Sequence, residues 1–139
     1  MGDAGAAAAI IREVLSEPRG VVSAYLFGSV AEKRAHRESD VDIGVLLDRS
    51  AYPSASDRFD TRLRLIARLA AALGRDVDLV ILNDAPPQLG RHIMTKGEPL
   101  LTLDAELDHA HLRLTLSRAA DLEPFLRRMR AIKLQALSR

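Results

Sequence analysis

Three aspartates and a glycine–serine pair are the residues of this chain whose types and spacing could do chemistry. Gly28-Ser29 closes an apolar run over 21–27. After ten intervening residues, Asp40-Val41-Asp42 opens a second run that ends at Leu47. A strand sets residues i and i+2 on one face. Asp40 and Asp42 therefore project side by side, and bare carboxylates that close repel each other. A divalent cation removes the repulsion, and phosphate oxygens can complete its shell. Glycine at 28 lets the backbone approach a phosphate. Ser29 would begin a short helix, whose free N–H groups and dipole favour an anion. Together these residues form a pattern suited to a metal-bound nucleoside triphosphate.

Alone, Gly28-Ser29 reads equally well as a turn with a helix N-cap, and short motifs match by chance. Asp42 tips the balance, because it lies within an apolar strand and strand interiors are depleted in aspartate. A third carboxylate is expected from a neighbouring strand. The run Arg75-Asp76-Val77-Asp78-Leu79-Val80-Ile81-Leu82 repeats the rhythm of the 40–47 run. Asp76 and Asp78 share a face. Asp78 is deeper and is the chosen partner, with Asp76 a solvated strand entry.

The elements that must hold these residues follow from periodicity. Ile10, Ile11, Val14 and Leu15 stripe a helix over 3–17, ended by Pro18 and Gly20. Strands are expected over 21–27, 40–47 and 76–82. A short helix over about 30–36 and a turn over 37–39 separate the first two. Phe59, Leu63, Ile66, Ala70 and Leu73 recur at helical spacing over 57–73, and Gly74 stops that helix. Pro86-Pro87 opens a helix over 88–95 that Gly97 ends. An extended piece over 100–103 follows. Helix then returns from Asp104, expected in two parts broken near Pro124. The alternation predicts an α/β (α+β) fold: a small mixed β-sheet with helices mainly on one face and the carboxylates on the other, near one end. One domain over 1–139 is expected, with a core of about 21–103 and a helical tail of about 104–139.

Composition narrows the classes. The 139 residues carry a formal net charge of +1 and 4% aromatics. No bulk field favours nucleic acid, and few rings are present for base stacking, so direct nucleic-acid binding is not expected. The chain has no cysteine. That excludes thiolate metal sites and fits a reducing cytoplasm, where the protein is expected. No signal-peptide pattern or bilayer-length apolar run is present.

Gly28-Ser29, the ten-residue interval, Asp40-Val41-Asp42 and Val77-Asp78-Leu79-Val80 resemble the minimal nucleotidyltransferases of the DNA polymerase β superfamily. Within it, the chain is similar to the MntA-type antitoxins, partners of HEPN toxins in type VII pairs. Gly97-Glu98-Pro99-Leu100-Leu101 and the helical tail extend the resemblance. The resemblance implies a polymerase β-like fold and two Mg²⁺ ions held by Asp40 and Asp42, one of them shared with Asp78. It implies ATP as substrate, with Gly28 and Ser29 on the pyrophosphate end. It also implies AMP transfer to a tyrosine of the cognate HEPN RNase, which is silenced within a hetero-oligomer. The family often carries a small-basic-glycine step after the serine. Here the run is Val30-Ala31-Glu32-Lys33-Arg34, which changes that turn.

Other residues carry less. His109 and His111, two apart on a helix, do not share a face, so zinc is not expected. His36 and His92 read as surface histidines. Residues 122–137 mix Leu122, Phe125, Leu126, Met129 and Ile132 with Arg127, Arg128, Arg130 and Lys133. That stripe packs on its own domain or docks a partner. Two alternatives remain at this stage. One is a catalytically silent antitoxin acting by binding. The other is a small-molecule, aminoglycoside-type nucleotidyltransferase, for which the tail is too short to form a second domain.

Overall fold

The computed structural model describes residues 3–28 and 40–137. In chain order these form helix α1 (Asp3–Ser16), strand β1 (Val21–Phe27), strand β2 (Val41–Leu47), helix α2 (Ala55–Leu73) and strand β3 (Val77–Ile81). A 3-10 turn (Leu82–Asp84), helix α3 (Pro87–Lys96), strand β4 (Glu98–Thr102) and helix α4 (Ala105–Leu137) follow. The helix and turn expected over 30–39 lie outside the described residues, as does Ser29.

The sheet runs β3-β2-β1-β4. β1 is antiparallel to both β2 and β4, while β2 and β3 are parallel. A parallel pair needs a crossover, and α2 provides it. β1 and β2 are central strands covered on both faces, which is why they read as near-continuous apolar runs.

On one face, Ile11 and Leu15 of α1 and Leu65 and Leu69 of α2 pack against Val41, Ile43, Val45 and Leu47. Ser54 caps α2 by accepting the Asp57 N–H at 3.0 Å, so the helix starts two residues before the expected 57. On the second face, Ile93 and Met94 of α3 and Leu112 of α4 meet Val22, Tyr25 and Leu46. Gly44 makes this approach possible: a Cβ there would stand 2.7 Å from Ile93 Cγ2. The covering stops short of one end of the sheet. There Asp42 is only partly buried, and Asp40 and Asp78 are exposed.

Buried polar contacts fix the helices to the sheet. Asp108 of α4 accepts hydrogen bonds from Ser23 Oγ at 2.6 Å and Tyr25 Oη at 2.7 Å. Burial, then the Asp108 hydrogen bond and charge, push the Tyr25 phenol far above its usual range, so it stays a donor. Arg58 of α2 grips Asp84 through two bonds of 2.8 and 2.9 Å.

The C-terminal helix differs from expectation. α4 runs unbroken through Pro124. Proline there removes one backbone hydrogen bond, at about 3 kcal/mol in a helix interior. Glu123 pairs across the proline with Arg127 at 3.6 Å and Arg130 at 2.9 Å, and Gln88 of α3 donates to Ala119 O and to Glu123 on its N-terminal side. Among the described residues, no helix is long and apolar enough to cross a membrane.

Candidate active site

Strand register sets the centre of the site. Asp42, the second residue of β2, pairs with Phe27 across the antiparallel ladder and with Asp78 across the parallel one. Neighbouring strands lie about 4.8 Å apart, so the Asp42 and Asp78 side chains leave the same face as neighbours. Asp40 stands just before β2, exposed to solvent. Asp76, also exposed, lies ahead of β3, and its carbonyl accepts the Val41 N–H at 3.0 Å. The register thus brings Asp78, rather than Asp76, beside Asp42.

Asp42 feels the charges of both other acids. The Asp42 carboxyl is pushed above its ordinary value, first by burial, then by the charges of Asp78 and Asp40. One cation is close by: a terminal nitrogen of Arg62 on α2 lies 3.8 Å from Asp78 Oδ1, while its Nε donates to Leu79 O at 2.7 Å. Arg62 was not anticipated from the sequence. It sits on the polar side of an amphipathic helix, and only the crossing of α2 over the edge of β3 brings it to the acids.

Gly28 joins the other flank. Its φ is 76°, in the left-handed region. A Cβ at this position would run into the Asp42 carboxylate. Glycine is therefore required on both counts: backbone conformation and the space that Asp42 occupies.

Among the described residues, no three His, Cys, Asp or Glu side chains converge into a ready-made metal cage. The donor set still fits Mg²⁺, which is commonly held by one or two carboxylates and completed by water and substrate phosphates. Mutually repelling acids at an open sheet end provide such a half-shell.

The histidines lie elsewhere. His111 Nε2 is 3.1 Å from Leu82 O, and burial holds its pKa below the usual value. His109 is exposed. His92 lines a polar cleft of about 300 Å³ on α3 with Arg91 and Lys96. His36, Glu32, Lys33 and Arg34 lie outside the described residues.

The family model described as polymerase beta, nucleotidyltransferase matches residues 10–106. Over 78 residues the chain is 42% identical to the protein adenylyltransferase MntA of Shewanella oneidensis, a stretch that makes up 55% of this chain and 50% of that protein. The chain thus spans about half the length of that curated relative. Two solved structures share the fold over nearly the whole chain. A toxin–antitoxin crystal structure with AMP-PNP superposes with a TM-score of 0.67 at 28% identity, covering 95% of this chain and 98% of that one. A complex of tri-AMPylated Shewanella oneidensis HEPN toxin with its MNT antitoxin gives 0.63 at 26% identity, covering 98% and 99%.

Proposed function

Since the chain belongs to the polymerase beta nucleotidyltransferase family, whose model spans residues 10–106, we propose that it transfers AMP from ATP to a tyrosine of a HEPN-type toxin and so silences it. On this reading it is a cytoplasmic antitoxin acting in a hetero-oligomer with its target. One observation carries the proposal: the parallel register that sets Asp78 beside Asp42, with Gly28 pressed against Asp42 from the other flank.

Each residue has work to do. Asp40 and Asp42 would hold two Mg²⁺ ions, with Asp78 contributing to one of them. Bound there, Mg²⁺ neutralises the triphosphate and makes the acceptor hydroxyl more acidic. Gly28 leaves backbone room at the pyrophosphate end, and Ser29 adds a hydroxyl donor. Asp78, on the far flank of Asp42, faces the incoming hydroxyl and takes its proton. Arg62 steadies Asp78 from the edge of β3.

The partner reading draws on α4. Beyond Leu126 every described residue is exposed. Phe125, Met129 and Ile132 continue the packed stripe of the helix into solvent. Residues 124–137 carry four cations and no acid, so two copies of this helix repel each other while an acidic helical partner is attracted.

Incubation with ATP, Mg²⁺ and a purified HEPN-type toxin should add AMP-sized mass increments to the toxin. Asp42→Asn should abolish them. Neutralisation of the toxin by Asp42→Asn at wild-type potency would establish the binding-only antitoxin instead.

A further inference from the structure

Displacement at a phosphorus in such transfers is in line: the attacking oxygen enters opposite the leaving one. With the pyrophosphate end at Gly28, the leaving group lies on the β1 side of Asp42. β2 is flanked by β1 on one side and β3 on the other. The acceptor must therefore come in over β3, past Asp78.

That side carries a groove. β3 is an outer strand of the sheet. A cleft of about 400 Å³ runs along it, between Phe59 and Arg62 of α2, Val80 and Ile81 of β3, and Asp84 and Pro86 beyond. Its active-site end is marked by Arg62, which spans from Leu79 O to Asp78. The charge of Asp84 is already matched by Arg58. What remains open is a large ring, since Phe59 is 54% exposed. A ring beside a guanidinium suits a second aromatic group, by stacking and by cation–π attraction. An outer strand also offers backbone groups to an extended segment laid along it, apart from Leu79 O, which Arg62 already holds.

We propose that this groove is the acceptor subsite. It seats an extended segment of the partner protein, with an aromatic hydroxyl residue against Phe59 and Arg62 and its hydroxyl directed to Asp78. The inference rests on the AMP-transfer reading above and adds where the target residue binds and why it is aromatic. In the step itself, the hydroxyl oxygen bonds to the α-phosphorus as the bond from that phosphorus to the bridging oxygen breaks. Pyrophosphate leaves with the electron pair, and the hydroxyl proton passes to Asp78. A serine side chain would leave the exposed Phe59 ring uncovered.

The test uses the full chain and a purified HEPN-type toxin. Phe59→Ala removes the ring, and Ala55→Trp fills the groove from its rim; both positions are exposed, so the fold tolerates change there. Transfer is measured against toxin concentration, and Mg·ATP affinity by calorimetry. The expected result is a KM for toxin raised about tenfold in both variants, with Mg·ATP affinity unchanged. Wild-type KM in both variants overturns the subsite. So does a parallel loss of Mg·ATP affinity, which would assign Phe59 to the nucleotide. Absence of transfer by the unmodified chain removes the AMP-transfer reading itself, and the groove assignment with it.

Discussion

A carboxylate held between two others is uncomfortable, and at Asp42 burial and the two neighbouring charges raise its pKa. The folded chain keeps the Asp42 proton to a higher pH than the unfolded chain, whose ordinary value is 3.8. Between those values the folded state binds more protons, so stability falls as pH rises through the folded value. Asp42→Asn removes the loss. In metal-free buffer at pH 7 it should melt about 2 °C above wild type, a modest gain because the group is still open to solvent. The gain should vanish below the unfolded value, and Mg²⁺ with ATP should raise the melting temperature of wild type alone. Gly28→Ala strains a left-handed residue and drives a methyl onto Asp42. It should cost about 1–2 kcal/mol in urea titrations and remove Mg·ATP binding in calorimetry. At this scale the acids were legible because aspartates inside apolar strands contradict local propensity. Arg62 and the Gly28–Asp42 contact were not, since each depends on which elements end up adjacent.

At the scale of elements, α4 is fixed to β1 by one buried carboxylate and two hydroxyls. Asp108→Ala leaves Ser23 Oγ and Tyr25 Oη without their acceptor. A loss of about 2–3 kcal/mol is expected by chemical denaturation, with Asp108→Asn falling between. Nothing in the sequence marks Ser23 and Tyr25 within the apolar run of β1, and their partner 83 to 85 residues away could not be read from it. β1 and β2 were legible because burial on both faces leaves few polar residues in them. The unbroken α4 was not. Proline punctuates a helix by local rules, whereas the Gln88 contact that holds α4 just ahead of Pro124 comes from a side chain placed by the fold.

For the molecule as a whole, the exposed end of α4 contributes little to its own stability. Removal of residues 127–139 should lower helix content by circular dichroism and leave the melting temperature within about 1 °C. On the antitoxin reading, the same truncation should weaken toxin binding at least tenfold, by calorimetry. The sheet has one further consequence, set by the parallel pairing of β2 with β3. Asp42 and Asp78 meet only after α2 has been laid down between their strands. Hairpin-like contacts between β1 and β2 are more local and close sooner. On the antitoxin reading, a growing polypeptide still on the ribosome lacks the assembled acid pair until β3 emerges and docks, so protection cannot begin before translation has passed Ile81, well after the acidic motif first appears.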